Sequence, residues 1–380
     1  MVKTKNLPGN PESKPLATSK KPKYKKADDA AFYPLLRKRI RAYFQESGLK
    51  PKGGKEVTIK TVALLLLYVS TYLLMISNWF SPFGTLLMAI SFGIINVLIV
   101  FNIAHDAAHN ALFPNAKLNR ILTYTFNMLG ANAYLWDITH NQIHHTYPNV
   151  GAYDTDIEQQ APLIRVSPTV DRKWFHRYQA YYAPFLYLTY SVFLIFLKDY
   201  QDIGILPKKD SKLLENRKHP IREYLIFFAS KIFYLCIGLI IPFLLIDVSW
   251  QQFLLGFFIV HLVMSFLLAV VLIPVHMVDE APFEQVSPSG TIEESWSKHV
   301  LNNTTDYSAN SRLANIFFGG LNTHLVHHLF PGICHVHYMK LSGIVKETAQ
   351  SLGLEYRNVS MWQAICSHFR LLKRMGKAGS

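Results

Sequence analysis

The sequence predicts an all-α integral membrane protein. Four transmembrane helices in two hairpins carry a cytoplasmic helical di-metal domain and one interfacial helix. Three observations lead there. Half of the 380 residues are hydrophobic and mean hydropathy is positive, more apolar than ordinary soluble domains. Two stretches, 61–104 and 232–275, are almost free of charge. Nine of the sixteen histidines gather just beyond those stretches and in two further clusters.

Residues 1–30 hold Lys3, Lys5, Lys14, Lys20, Lys21, Lys23, Lys25 and Lys26 among Pro and Ser, and read as a disordered basic arm. Weak attraction to anionic headgroups is its functional reading, and a plain flexible tail is the simpler one. Nucleic-acid binding is not expected, because no basic module with base-stacking aromatics follows. No secretory signal is expected either, since the first long apolar run starts near Thr61. Cys236, Cys334 and Cys366 are odd in number and far apart, which suggests neither a disulfide framework nor a zinc ribbon.

After a cytoplasmic segment at 31–60, residues 61–104 contain no Asp, Glu, Lys or Arg. At about 1.5 Å per residue the run is long enough to cross a bilayer twice, with Pro82 and Gly84 marking the turn. The run 232–275 carries only Asp247, at its middle, and reads as a second hairpin. Neither turn holds Lys or Arg while the flanks are rich in both. The positive-inside rule therefore puts both termini and the long segments, 105–231 and 276–380, in the cytoplasm. Trp79 and Trp250 fall at the turns, as interfacial aromatics do. A third apolar run, 178–197, would place Lys198, Arg217, Lys218 and Arg222 outside if it crossed. It is expected to lie at the cytoplasmic face as one helix.

His105 directly follows the first charge-free run and His276 the second. On a helix His105 and His109 share a face, as do His140 and His144, with His145 beside them, and His324 and His328, with His327 one position earlier. The expected topology brings all nine to one side of the membrane. Neutral imidazole ligates Fe, Zn, Cu or Ni, and nine such groups suit two ions with room for a small molecule. A lone buried histidine would need no such account; three clusters with His276 do. His261 lies about 22 Å along its helix from His276 and is expected to serve helix packing. His335 and His337 read either as outer-sphere partners or as surface positions. His176, His219, His299 and His368 form no pattern. Asp106, Asp137, Asp154, Asp156 and Glu158 are candidates to accept a hydrogen bond from the far nitrogen of a ligand, or solvated surface acids.

Ligation by nitrogen sets the pattern apart from soluble di-iron bundles, which use Glu with Glu-x-x-His. Iron held mostly by histidine is suited to reducing dioxygen and taking hydrogen from an unactivated C–H bond. A site at a membrane surface between apolar helices favours an acyl chain as substrate.

"HDAAH", "HNQIHH" and "HLVHH" resemble the three histidine boxes of the membrane fatty-acid desaturases, most strongly the bacterial branch related to acyl-CoA and front-end enzymes. The likeness spans roughly 62–367 and includes "HNQIHHTYPNVGAYDTDIE", "VHMVDEAPF" and "WSKHVLNNTTDYSAN". It implies four transmembrane helices, two non-haem iron ions, O2 as co-substrate, and a double bond placed in a fatty acyl chain carried on CoA, acyl carrier protein or lipid. It also supports His276 as a ligand outside the boxes. Front-end relatives carry Gln at the first place of the third box, where this chain has His324. No His-Pro-Gly-Gly haem signature is present, so electrons are expected from a separate ferredoxin or cytochrome b5. The expected location is a bacterial cytoplasmic membrane, with endoplasmic reticulum as the alternative.

Two other readings remain open here. A hydroxylase or other lipid oxygenase would use the same scaffold and differ in product. A zinc-dependent membrane hydrolase would use the H-x-x-x-H of "HDAAH" but leave the other clusters without a role. Metal transport would place its ligands near the bilayer midplane, away from where these cluster.

Overall fold

The computed structural model describes residues 21–25, 31–207, 213–214, 217–284 and 286–377. Among the described residues four single helices are long and apolar enough to cross a membrane: α2 (Lys55–Ile76), α3 (Pro82–Ala108), α7 (Ile221–Leu245) and α8 (Trp250–Val275). The flanking helices that matter for the site are α1 (Phe32–Ser47), α9 (Trp296–Asn303), α10 (His324–Leu329), α11 (Tyr338–Ser351) and α12 (Met361–Gly376). Between α3 and α7 lie α4 (Ala133–Trp136, continued by the π-helical Asp137–His144), α5 (Trp174–Tyr187) and α6 (Tyr190–Asp202).

Local chemistry fixes where the long helices begin. Ser81 accepts from the Gly84 amide and Pro82 takes the first helical turn of α3, where a missing N–H costs nothing. Ser249 and Gln252 form a reciprocal capping box on α8. The two turns meet: Asn78, in the left-handed region at φ 57°, donates to Leu245 O at 2.8 Å and accepts from Asp247 N at 2.8 Å. His105 and His276 sit at the opposite ends of α3 and α8. Apolar side chains on the outer faces stay uncovered, Leu66 at 63% and Leu225 at 67% exposure, as lipid-facing residues would.

Both spans start earlier than the charge-free runs suggest. Lys55, Glu56 and Lys60 belong to α2, and Arg222, Glu223 and Lys231 to α7. Lys231 is accommodated because it is fully partnered. Its ammonium donates to Gly130 O at 2.6 Å, Ile195 O at 2.7 Å and Asp199 Oδ2 at 2.7 Å, and a buried charge is tolerated only with such partners.

The single helix expected at 178–197 is instead two, α5 and α6, bent by 75°. Pro184 lies inside α5, and the Thr189 hydroxyl donates to Leu186 O at 2.8 Å, competing with the helical ladder. Past the bend, Ser191 bonds Ser265 and His261 on α8. His261 is thus buried in helix packing, as its distance from His276 suggests.

Residues 1–20 and 26–30 of the basic arm lie outside the described residues. Residues 21–25 depart from the expected disorder: strand β1 (Lys23–Tyr24) pairs in parallel with β2 (Thr291–Ile292). The Tyr24 hydroxyl donates to Thr146 O at 2.7 Å and its ring stacks on Tyr147. Aromatic burial, which the lysine count obscured, holds the segment. A second short pair, β3 (Asp306–Tyr307) with β4 (Asn358–Val359), ties α12 to the region before α10. Phe32, Leu36 and Ile40 of α1 bury against Leu325, Leu329 and Leu341. At about 1.5–3 kcal/mol for each fully buried side chain, α1 is a firm support beneath α10.

Candidate metal centre

The first two histidines are delivered by a distorted helix end. Turns Val100–Ala104 of α3 are π-helical before His105–Ala108 returns to α geometry, a widening typical of functional sites. The widened turn is held from outside by Gly319, at φ +57°, where an added Cβ would collide with the Phe101 carbonyl. Box two is π-helical as well, with His145 N bonded to His140 O at 3.0 Å, five residues back. Asn132 caps the start of α4 through Leu135 N at 3.0 Å. Box three is the short α10, with the buried Asp306 carboxylate accepting from Leu325 N at 2.8 Å at its N-terminus.

These elements sort the histidines into two groups. His105, His109, His140 and His327 offer nitrogens within 4.8 Å of one another, and so do His144, His276, His324 and His328. His145 stands between them: its Nε2 is 3.2 Å from His140 Nε2 and 3.0 Å from His327 Nε2, and its ring stacks on His328 at 4.3 Å. Boxes two and three each supply both groups. The sequence-predicted residues thus all meet, but sharing a helical face does not decide which group a residue joins.

The nitrogens approach as ligands of one ion would. His276 Nε2 lies 3.2 Å from His144 Nε2 and 2.9 Å from His328 Nε2. At a metal–nitrogen distance of about 2.1 Å, ligands at a right angle sit about 3.0 Å apart and tetrahedral ones about 3.4 Å apart. Partners on the far side assign the protons. His144 Nδ1 faces Asp154 Oδ1 at 3.0 Å, and His276 Nδ1 faces Asn303 O at 3.0 Å. Each Nδ1 therefore donates, so both Nε2 atoms turn toward one point, where a bound cation would take both lone pairs once His144 gives up the proton that its carboxylates favour. Buried nitrogens of His105 and His109 find no hydrogen-bond partner among the described residues, a costly state that ligation also resolves. The donor set fits two ions.

Electrostatics point the same way. Burial holds His109, His140, His145, His324, His327 and His328 well below the ordinary imidazole range, and His276 down at about 3. These rings are neutral, as ligands must be. His144 differs: burial opposes its charge, but Asp154 and Asp156 overcome it and raise it to about 9. A metal taken up there displaces one proton.

The acids divide. Asp154 fits the orienting role, bonding His144 and accepting from Asn149 N at 2.8 Å and Asp156 N at 2.9 Å. Asp156 stands 3.6 Å from His144 Nδ1. Asp106 accepts from His335 N and Nδ1 at 2.9 and 2.8 Å and lies 3.6 Å from His105 Nδ1. Both His335 and His337 are buried, so neither is the surface position the sequence left open. Asp137 bonds Asn141 and Gln142, and Glu158 accepts from Ala152 N. Sequence reasoning passed over Asn303 and Asn149, which donates to His276 O at 2.9 Å, and Trp136, stacked on His140 at 4.2 Å. Asn303 sits within the motif "WSKHVLNNTTDYSAN", its one visible signal.

His105, His140, His144, His276 and His324 face a cavity of roughly 1360 Å³, counting its open mouth. Its other walls include Val100, Leu129 and Leu268, with Gln159, Gln160 and Lys198 among its polar groups.

A family model described as fatty acid desaturase matches residues 77–360. The chain belongs to the fatty acid desaturase family. It is 30% identical over 366 residues to an sn-1 linoleoyl-lipid 6-desaturase of Synechocystis, covering 91% of this chain and 96% of that one. It is also 30% identical to an acyl-lipid (8-3)-desaturase of Physcomitrium patens, covering 93% and 73%, and 28% identical to an sn-1 linoleoyl-lipid 6-desaturase of Arthrospira platensis, covering 90% and 91%. This desaturase is therefore an enzyme of fatty acyl desaturation in a membrane context, and its histidine groups are compatible with a metal site.

Proposed function

We propose that the desaturase is a di-iron, oxygen-dependent enzyme acting on the acyl chain of a membrane lipid. Its proposed ligands are His105, His109, His140, His144, His145, His276, His324, His327 and His328. The observation that carries this reading is the pair of histidine groups, joined through His145, on one wall of a largely apolar cavity. Two iron ions held there supply the oxidising chemistry, by which two hydrogens leave the acyl chain while dioxygen, with two electrons and two protons, becomes water.

The chain's own residues bind, orient and shield. Asp154 and Asn303 hold His144 and His276 with the Nε2 lone pairs directed inward. Val100, Leu129 and Leu268 bury the alkyl chain beside the histidines and exclude water from them. Lipid is favoured over CoA or carrier protein because the relatives are named for acyl-lipid substrates. Electrons come from a separate ferredoxin or cytochrome b5. Both termini and the histidine centre face the cytoplasm, since the turns at Asn78 and Asp247 lack Lys and Arg while the histidine-bearing side is basic. The cyanobacterial relatives favour a bacterial membrane.

Mass spectrometry of fatty acids from aerated cells expressing the wild type or His144→Ala, with an electron donor co-expressed, tests the reading. The expected product has two hydrogens fewer and appears only with the wild type. A product with one added oxygen would instead establish the hydroxylase.

A further inference from the structure

A second cavity, roughly 760 Å³ counting its open mouth, lies among α2, α3, α7 and α8 on the side toward the turns. It faces no member of the two histidine groups. It and the histidine-facing cavity share walls on the same two helices, one turn apart. Asn96 and Val260 line the second, while Val100, Met264 and Leu268 line the first. These positions step by four residues along α3 and α8, so the cavities are stacked along one helical stripe.

Two side-chain contacts join the wall of one cavity to the wall of the other. Asn96 faces the second cavity and Met264 the first, and they touch, Nδ2 to Sδ at 3.6 Å. Ser191 faces the first cavity and His261 the second, and they are bonded, Oγ to Nδ1 at 3.0 Å. Tyr234 braces His261 from behind, Oη to Nε2 at 2.9 Å. Gly93 lets α3 and α8 close together here: a Cβ would meet Val260 O at 3.0 Å.

We infer that these contacts form a partition that ends the acyl-binding cavity and that Met264 is the residue limiting how far the methyl end of the substrate can reach. The inference rests on the reading that an acyl chain occupies the histidine-facing cavity. The two halves of the wall differ in kind. Ser191–His261–Tyr234 is a hydrogen-bonded brace tying α6, α7 and α8 together. Asn96–Met264 is a weak sulfur contact, and the Asn96 Oδ1 behind it is buried and finds no hydrogen-bond partner among the described residues. Methionine is flexible and unbranched, so this is the half that a side-chain change opens. Shortening Met264 joins the two spaces, and the tail of a longer chain extends into the second. Enlarging it shortens the first.

The test uses the full chain in membranes with its electron donor, for wild type, Met264→Ala and Met264→Phe. Substrates share one carboxyl-end structure and lengthen in two-carbon steps at the methyl end. Conversion of the longest relative to the shortest should rise about tenfold in Met264→Ala, the scale of discrimination set by a methylene in an apolar pocket, and fall in Met264→Phe. An unchanged ratio in two active variants, or a shift the other way, overturns the assignment. A photoreactive diazirine at the methyl end of the longest substrate gives a second readout that needs no turnover. In the wild type the label should fall on Met264 or on first-cavity residues such as Leu268, and in Met264→Ala it should move to Val260 or Phe257. Wild-type label on Val260 or Phe257 sinks the partition whatever the variants do. A wild type labelled at the wall that desaturates nothing removes the functional reading and keeps the wall. One that desaturates but is labelled beyond the wall removes the wall alone.

Discussion

Asp154→Asn isolates the orienting role of one carboxylate without touching a ligand. In the wild type Asp154 accepts from His144 Nδ1, from the Asn149 amide and from the Asp156 amide, at 3.0, 2.8 and 2.9 Å, and is 1% exposed. Asparagine keeps the shape but has one oxygen for these donors and turns an NH2 group toward one of them. A buried hydrogen bond to a charged group is worth about 1.5–3 kcal/mol. At about 1.4 kcal/mol per tenfold, losing it from the His144 side corresponds to roughly 10–100-fold in metal affinity, the range usual for such outer partners. The assay is competition for iron against a chelator of known affinity, on purified protein in detergent. Metal affinity should fall by that factor in Asp154→Asn and by more in His144→Ala. Wild-type affinity in Asp154→Asn, with the fold intact by circular dichroism, would refute the claim that His144 is positioned through Asp154.

Other expectations concern the frame around the site. Lys231→Met leaves Asp199 buried without its cation and should cost roughly 3–5 kcal/mol, read as a lowered unfolding temperature in detergent; adding Asp199→Asn should recover part of it. Gly319→Ala forces a Cβ against the Phe101 carbonyl at a positive φ, so it should displace the π-helical turn before His105 and lower both stability and iron content. For pH, the sign follows from His276. Its folded value of about 3 lies below the unfolded 6.5, so the unfolded chain binds more protons between the two. The metal-free protein should therefore lose about 1.4 kcal/mol per pH unit from this residue alone as pH falls below 6.5. Denaturant titrations of metal-stripped protein at several pH values check this, and a flat profile below 6.5 would contradict it.

Much of this was legible in the chain because its signals are long or repeated. Four apolar spans follow from the charge-free runs, and all nine histidines converge where their spacing and the ends of the runs suggest. Boundaries were less legible, since Lys60 and Lys231 interrupt the hydropathy signal although tertiary partners accommodate them inside helices. The partition of histidines was not legible at all. It depends on π-helical turns at Val100–Ala104 and Asp137–His144, which leave no mark in a pattern read at helical period. The bend between α5 and α6 reflects Pro184 and Thr189 acting against a run whose hydropathy is uniform. Asn303 was hidden because its backbone carbonyl, which any residue carries, does the orienting.

The central claim is that the nine histidines hold two iron ions. Elemental analysis of purified wild type, counting each metal per chain alongside His144→Ala and His140→Ala, tests it most directly. The account predicts two irons per wild-type chain, with His144→Ala weakening the group around His276 and His140→Ala the group around His109. A single zinc per chain, or full iron content in both variants, would contradict it.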